Sequence, residues 1–196
     1  MKNKIKVLAL CGKSASGKDA IQQHLIQDEK FASIISTTTR PPRDNEINGV
    51  HYHFVSEEAF LSKELKTEML ETTAFRGWYY GTARDSLDAN KINVGVFNPE
   101  GISNLIRNED LDVMVVKIEC PDKIRLMRSL QRENNPDCAE ICRRYFADGQ
   151  DFKRISFPFH LYDNDGRYSI QEISEIIKVD AEKFFGQNQL SQIVEN

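Results

Sequence analysis

The stretch Ile5-Lys-Val-Leu-Ala-Leu-Cys-Gly-Lys-Ser-Ala-Ser-Gly-Lys-Asp19 decides the fold of this chain. Residues 5–11 form a short run of β-branched and aliphatic side chains that ends at Gly12, which is typical of a buried strand. From Lys18 to Gln27, apolar residues recur at helical spacing. A buried strand, a glycine-containing loop and a helix in this order predict the first unit of a parallel α/β sheet.

The loop between that strand and that helix has the spacing of a phosphate-binding loop. Gly12-x-x-x-x-Gly17-Lys18 matches the Walker A pattern, whose glycines let several backbone N–H groups point at one phosphate chain. The helix dipole adds positive potential, and Lys18 adds a full charge at the β- and γ-phosphates. A glycine-containing turn with a surface lysine is the alternative, and the flanking strand and helix disfavour it. The predicted ATP-binding residues are Gly12, Lys13, Ser14, Ala15, Ser16, Gly17, Lys18 and Asp19.

Asp19 departs from the motif, which has Ser or Thr after the lysine to ligate Mg²⁺ through a hydroxyl. A carboxylate is a competent hard-oxygen ligand for Mg²⁺, although it adds negative charge beside the phosphates. The sequence therefore predicts Asp19 as the metal ligand and Mg²⁺, bound with ATP, as the cofactor.

The bulk composition excludes several function classes. Among 196 residues, 40% hydrophobic and 29% charged side chains are ordinary for a soluble globular protein. A net charge of −4 gives no global electrostatic case for binding nucleic acid or a membrane. The apolar run at the N-terminus is too short for a signal peptide, and no stretch could span a bilayer. Four cysteines without a CxxC pair favour reduced thiols. We expect a cytoplasmic protein.

A second anion site is predicted in Ser36-Thr-Thr-Thr-Arg-Pro-Pro-Arg43. Arg40 and Arg43 lie three residues apart on a stiff Pro-Pro segment, which makes a preorganised fork for a phosphate. Tyr52 follows and could add a hydroxyl donor.

With Glu46, Gly49, Tyr52 and Phe54 following that segment, the sequence closely resembles guanylate kinase. The monophosphate site of that family carries S-x-T-T-R-x-P-R-x-x-E-x-x-G-x-x-Y-x-F, and the resemblance runs from Lys6 to Phe185. It implies transfer of a phosphoryl group from ATP to GMP or dGMP. The residues that it implies for holding the GMP phosphate or base are Ser36, Arg40, Arg43 and Tyr52.

The block from Glu71 to Thr82 resembles the Glu…Tyr-Gly-Ser/Thr element with which the family reads the base and completes the phosphate site. It implies GMP-binding roles for Glu71, Tyr80 and Thr82. Guanine offers N1–H and N2–H₂ as donors on one edge, and the Glu71 carboxylate can accept from both. Thr82 could donate to O6. Adenine would place an acceptor opposite Glu71, which is a strong mismatch.

Arg128, Arg132 and Arg143 resemble the lid arginines that the family brings over the phosphates of ATP. Arg128 and Arg132 lie one turn apart on one predicted helix, and Arg143 lies on the next, where the adjacent Arg144 is an alternative. Phosphoryl transfer depends mostly on positioning and charge stabilisation, so such donors suit it. The predicted catalytic residues are Lys18, Arg43, Arg128, Arg132 and Arg143.

The match weakens before Gly101, where guanylate kinases usually carry Asp-x-Asp and this chain has Val96 and Asn98. Asn98 can still accept a hydrogen bond from the base, although less strongly than a carboxylate. We hypothesise that Asp19 restores, near the metal, the charge that these two positions lack. Asn164, or Asp163 if the register is shifted by one, is expected near the ATP base, as the family's Asn is.

The fold class predicted is α/β: a three-layer P-loop kinase fold with a parallel core sheet. The core comprises residues 1–35, 84–127 and 155–186, the monophosphate-binding insert 36–83, the mobile lid 128–150 and a polar tail 187–196. Irregular structure is expected over 37–48, and helices are expected over 99–107, 122–132, 139–146 and 170–185.

The favoured function is therefore guanylate kinase activity on small-molecule nucleotides, by a monomer or homodimer. Two alternatives stay open. The sequence Gly-Lys-Asp in the loop and Asn164-Asp165-Gly166 resemble ribose 1,5-bisphosphate phosphokinase, which lacks the intact Arg-x-Pro-Arg…Tyr motif. A non-enzymatic guanylate-kinase-like binding module is the other alternative, and it typically has a degraded phosphate loop.

Overall fold

A parallel sheet lies at the centre of the molecule, in a computed structural model that describes residues 4–42, 46–65, 68–75, 77–132 and 134–194. Within these residues its strand order is β2-β7-β1-β8-β9, and every pair is parallel. These strands are β1 (Ile5–Cys11), β2 (Phe31–Ser33), β7 (Ile92–Val96), β8 (Leu111–Glu119) and β9 (His160–Asp163). The sequence predicted such a sheet, and that prediction is confirmed.

Helices cover both faces of this sheet. The α-helices of the described residues are α1 (Lys18–Leu25), α2 (Glu57–Leu65), α3 (Pro99–Arg107), α4 (Asp122–Gln131), α5 (Cys138–Asp151) and α6 (Ile170–Val194), of which α1, α3 and α6 pack on this sheet and α2 belongs to the inserted segment. On one face, Leu8 and Leu10 of β1 pack in a core with α1 and α6. On the other face, Val7, Ala9 and Cys11 pack in a second core with α3. Since β1 is buried on both sides, it reads as a continuous apolar run.

The inserted segment forms a sheet of its own. Its strands are β3 (Thr37–Thr38), β4 (His53–Phe54), β5 (Met69–Phe75) and β6 (Trp78–Ala83), in the order β4-β3-β6-β5. Glu71 pairs with Thr82, and Thr38 pairs with Tyr80. This register brings Glu71, Tyr80 and Thr82, three of the residues that were predicted to bind the monophosphate, onto one small sheet.

Three predicted boundaries were wrong. Residues 37–48 were expected to be irregular, but the buried β-branched pair Thr37–Thr38 joins the insert sheet as β3. Helix α5 continues to Asp151 instead of ending at Phe146. Helix α6 continues to Val194, beyond the end predicted at Phe185, because its last residues include good helix formers. Residues 187–194 therefore extend α6 instead of forming a separate tail.

Helix α3 begins where the sequence predicted, with Pro99 in its first turn. Ser56 caps α2, because its Oγ accepts from the N–H of Ala59 at 3.2 Å. Within the described residues, no helix combines the length and the apolar character that crossing a membrane requires. Cys11, Cys120, Cys138 and Cys142 are free thiols.

Candidate functional site

The loop from Gly12 to Lys18 lies at the carboxyl end of β1, where the chain turns into α1. Gly12 has φ +149°, and a Cβ there would lie 2.4 Å from the carbonyl oxygen of Ile118. Gly17 has φ +100°, and a Cβ there would lie 2.4 Å from Nδ2 of Asn164. Both glycines are therefore required by backbone conformation and by close packing. Ala15 also adopts a positive φ, at +59°.

Lys18 extends back over this loop. Its Nζ donates to the carbonyl oxygen of Lys13 at 3.0 Å and lies 3.5 Å from Oγ of Ser16. Burial lowers the pKa of the Lys18 ammonium, and the carboxylates of Asp19 and Asp148 act in the opposite direction. The ammonium is therefore only partly compensated, and an anionic phosphate chain is the ligand that would compensate it.

Asn164 lies directly against the loop and is buried. Its Nδ2 donates to the carbonyl oxygen of Ser16 at 2.8 Å, and its Oδ1 accepts from Nη2 of Arg128 at 3.2 Å. The side chain thus links a lid arginine to the phosphate loop. Contact between Asn164 and the ATP base, which the sequence predicted, stays a prediction.

Arg40 of the predicted phosphate fork is well ordered by its neighbours. Its guanidinium pairs with Glu46 at 2.9 Å and lies 5.4 Å from the centroid of the Tyr52 ring. Tyr52 in turn makes an edge contact with Tyr80, with centroids 6.1 Å apart. Arg43 lies outside the described residues, so its role as the second member of the fork stays a prediction.

The two predicted sites lie within electrostatic reach of each other. The pKa of Tyr52 is raised to about 12, first by burial and then by the Tyr80 hydroxyl and the Asp19 carboxylate. Asp19 belongs to the first turn of α1, directly after the phosphate loop. A molecule held at Tyr52 would therefore lie within electrostatic range of the start of α1.

Glu71 is buried in the insert sheet, with 6% of its surface exposed. Its Oε1 accepts from Oγ1 of Thr82 at 2.8 Å, whereas its Oε2 has no hydrogen-bond partner within the described residues. A Cβ built on Gly101 would lie 3.3 Å from Oε2, which places this oxygen at the start of α3. The pKa of Glu71 is raised to about 7, mainly by burial and to a smaller extent by nearby Glu100, against the hydrogen bonds from Thr82 that lower it.

The hydroxyl of Thr82 donates to Glu71 and so orients the carboxylate. The hydrogen bond from Thr82 to guanine O6 stays a prediction. Asn98 likewise has a structural role, since its Oδ1 caps α3 by accepting from the N–H of Gly101 at 2.7 Å. Ser36 lies between β2 and β3, and its carbonyl oxygen accepts from the N–H of His53.

The predicted lid arginines lie on α4 and α5. Arg128 points at the loop through Asn164, whereas Arg132 is exposed at the end of α4. Arg143 and Arg144 both donate to Glu140, at 2.5 Å and 2.7 Å from their Nε atoms. These hydrogen bonds, the one from Arg143 first, lower the pKa of Glu140 to about 2. The structure therefore brings Arg128 to the loop through Asn164, and it pairs Arg143 and Arg144 with Glu140 of their own helix.

A metal ion would find few protein ligands here. Asp19 is exposed at the start of α1, and the part of the chain that the structure describes holds no cluster of three or more His, Cys, Asp or Glu residues. Mg²⁺ is usually bound by one or two carboxylates together with substrate phosphates and waters. A single carboxylate beside a phosphate loop fits that donor set.

A family model described as guanylate kinase matches residues 4–180. This chain belongs to the guanylate kinase family. It is 32% identical to a guanylate kinase of Wolbachia pipientis wMel over 178 residues, which cover 87% of this chain and 88% of that protein. It is 32% identical to one of Wolinella succinogenes over 170 residues, which cover 84% of this chain and 79% of that protein.

The solved structure of a guanylate kinase from Anaplasma phagocytophilum has the same fold as this family member. The TM-score is 0.70 at 20% sequence identity, and the match covers 93% of this chain and 87% of that chain. This likeness confirms the predicted P-loop kinase fold.

Sequence reasoning missed two buried charged residues of this guanylate kinase family member. Arg125 and Asp148 are 3% and 5% exposed and form an ion pair at 3.1 Å. Asp148 also accepts from the N–H of Ser14, at 2.7 Å. Neither residue has a motif spacing that would reveal it. Arg125 lies within a predicted helix, whereas Asp148 lies beyond the helix end predicted at residue 146. Which face of a helix becomes buried is defined only once the helices are packed.

Proposed function

We propose that this protein transfers the γ-phosphoryl group of ATP to GMP or dGMP. The observation that carries the proposal is the buried Glu71 carboxyl group, whose Oε2 lacks a partner within the described residues. A buried unsatisfied acceptor is costly, and a ligand with two adjacent N–H donors would satisfy it. Guanine has such an edge. Membership of the guanylate kinase family supports the same acceptor.

The acceptor phosphate would be held by Arg40, Arg43, Tyr52 and Tyr80. The Arg40 guanidinium already lies over the Tyr52 ring and pairs with Glu46, so it is preorganised for an anion. Because the acceptor phosphate is itself ionised, the reaction needs no general base. Its oxygen would attack the γ-phosphorus in line, and ADP would leave.

Charge that develops on the transferring group would be stabilised by Lys18 and by the lid arginines Arg128, Arg132 and Arg143. Arg143 would first exchange its pairing with Glu140 for a phosphate. Closure of the lid and the insert would exclude water and so prevent hydrolysis of ATP. Mg²⁺ bound with ATP would neutralise charge on the β- and γ-phosphates, and Asp19 is the residue that would hold it.

The role of Asp19 is testable by substitution. Replacing a carboxylate with a hydroxyl removes one negative charge from the metal site, so Asp19→Ser is expected to raise the Mg²⁺ concentration required for half-maximal rate. The measurement is initial rate against free Mg²⁺ at fixed ATP. An unchanged rate and an unchanged Mg²⁺ dependence would show that Asp19 takes no part in metal binding.

A coupled ADP-release assay tests the function. The acceptors to compare are GMP, dGMP, AMP, UMP, CMP, dTMP and ribose 1,5-bisphosphate. We expect rapid turnover with GMP or dGMP alone. Turnover restricted to the sugar bisphosphate would refute the proposal. ATP titration calorimetry separates the enzyme from a binding module, because a module with a non-functional loop would show no ATP affinity.

The proposed reaction also indicates where the protein acts. A nucleotide kinase requires ATP, so we propose that the protein acts in the cytoplasm, where ATP is made and used.

A further inference from the structure

Arg125 and Asp148 are buried charges that the proposed reaction does not use. Arg125 lies in α4 and Asp148 lies near the end of α5, and each is at least 95% buried. Taking two charges out of water is expensive, and many buried pairs give no net gain in stability over apolar residues of similar size. Their contacts therefore point to a role other than stability.

Both residues hold Ser14 of the phosphate loop, one through its N–H and the other through its carbonyl oxygen. Asp148 accepts from the N–H of Ser14 at 2.7 Å and from its Oγ at 3.1 Å. Arg125 donates from Nε to the carbonyl oxygen of Ser14 at 3.0 Å and from Nη2 to Asp148 at 3.1 Å. Four hydrogen bonds thus form a closed ring around Ser14, and the planar guanidinium fits it because it donates in two directions at once.

The conformation of the loop gives this ring a purpose. Ala15 follows Ser14 and has φ +59°, a conformation that costs energy for any residue other than glycine and persists only where the surroundings impose it. The next N–H, that of Ser16, donates to the carbonyl oxygen of Lys13, and the same oxygen accepts from Lys18. Fixing the N–H and the carbonyl group of Ser14 therefore fixes the direction of the turn and the position of the Lys13 carbonyl oxygen to which Lys18 donates.

The pair also links the loop to the two helices that carry the predicted lid arginines. Arg125 precedes Arg128 on α4, and Asp148 follows Arg143 on α5. Arg125 further contacts the Tyr145 ring, 5.2 Å from its centroid, and pairs with Asp122 at 3.3 Å. The two helices that carry the lid arginines are thus tied to the loop at the place where they meet it.

We propose that Arg125 and Asp148 are positioning residues for phosphoryl transfer, which fix Ser14 of the phosphate loop and tie α4 and α5, the helices that carry the predicted lid arginines, to it. This inference rests on the proposed use of the loop as the ATP site. Neither residue touches a reacting atom. Each acts through Ser14 and through the helix on which it lies.

Asp148→Ala tests the proposal. Without the carboxylate, Ser14 loses two hydrogen bonds and Arg125 loses its buried partner, keeping only its pairing with the exposed Asp122, so the loop loses its preorganised geometry. We expect the KM for ATP to rise by about tenfold or more, while the KM for GMP changes by less than about twofold. Asp148→Asn keeps one acceptor for Ser14 and is expected to recover part of the affinity for ATP. Arg125→Lys keeps the charge but cannot donate to Ser14 and Asp148 together, so it is expected to weaken ATP in the same way.

Asp28→Asn is the matched control. Asp28 accepts from Nζ of Lys178 at 2.6 Å, an ion pair between the end of α1 and α6 that touches neither site. It is expected to leave both KM values unchanged. Thermal shifts on adding ATP alone or GMP alone provide a second measurement, and a preserved shift with GMP demonstrates that a variant is folded.

A purely structural role predicts a different pattern. The variants would then lose thermal stability but keep the wild-type KM for ATP, or lose the responses to ATP and GMP in parallel. Either result overturns the proposal, and so does a poorly folded Asp148→Ala accompanied by an Asp148→Asn that binds ATP like the wild type. If the wild type does not phosphorylate GMP, the ATP-induced thermal shift still compares ATP binding by the variants. Failure of the proposed function can therefore be distinguished from failure of the positioning role of Arg125 and Asp148.

Discussion

Glu71 carries a carboxyl group whose pKa is raised to about 7 because burial disfavours the charged form. In an unfolded chain the group would titrate near its ordinary value of 4.5. Its folded pKa is the higher one, so its contribution to stability is greatest below pH 4.5 and falls as pH rises from there to about 7. Binding of guanine has the opposite sign, since two N–H donors require the ionised carboxylate.

We therefore predict that the KM for GMP rises about tenfold per pH unit below pH 7 and levels off above it. The measurement is the KM for GMP between about pH 5.5 and 8.5 at saturating ATP. Glu71→Gln cannot ionise, so it should weaken GMP binding at every pH and abolish the step. A step that persists in Glu71→Gln would assign the titration to another group.

Single residues also show how far the sequence could be trusted. The spacing of Gly12, Gly17 and Lys18 predicted the loop, because only glycine tolerates the two positive φ values found there. The likeness to a family placed Glu71 and Thr82 in one site, but it did not reveal that the Thr82 hydroxyl donates to Glu71. Which partner takes a proton depends on distances that a linear pattern does not contain.

At the scale of elements, helix α3 depends on the residue that caps its N-terminus. Asn98 caps it by accepting from Gly101 at 2.7 Å, and Pro99 fits the first turn because that position needs no N–H donor. We predict that Asn98→Ala lowers the free energy of unfolding by about 1 kcal/mol. Asn98→Asp keeps the acceptor and places a negative charge at the helix N-terminus, so it should be at least as stable as the wild type.

Urea denaturation measures both variants, and an unchanged slope of the free energy against urea is needed for the comparison. Equal stability of Asn98→Ala and the wild type would mean that another group caps α3. The same element explains a limit of the sequence. Asn98 was read as a ligand of the base because the family carries a carboxylate there, yet an Asn directly before Pro is also a common helix cap.

Elements with strong periodic patterns were predicted well, and those that depend on partners were not. Strand β1 and the start of α3 lie where the sequence placed them, because their burial pattern is set locally. The two residues of β3 have no pattern of their own. They form a strand because β4 and β6 supply hydrogen-bond partners on both sides.

On the scale of the whole molecule, the central sheet separates two cores that serve different parts of the site. The core with α1 and α6 lies under the helix that follows the phosphate loop, and the core with α3 lies beside the insert. Both cores meet at β1, whose carboxyl end carries the loop. Stability and site geometry are therefore coupled through one strand, although most core residues lie far from any ligand.

Substitutions at Ile176 and Ile177, two neighbours on α6, can separate the stability of the protein from the geometry of its site. Ile177 is fully buried in the core with α1, whereas Ile176 is 47% exposed. Ile177→Ala leaves a cavity and is expected to lower the free energy of unfolding by about 3 kcal/mol, with a fall in Tm of roughly 6 to 12 °C. Ile176→Ala removes the same atoms from a partly solvated position and should change the stability by less than about 0.5 kcal/mol. Because neither side chain reaches the loop or the insert, the KM values for ATP and GMP at 25 °C should match the wild type in both variants. A raised KM in Ile177→Ala below its Tm would show that the core of α1 and α6 transmits strain to the phosphate loop. The packing of this core and the geometry of the loop could then not be treated as independent.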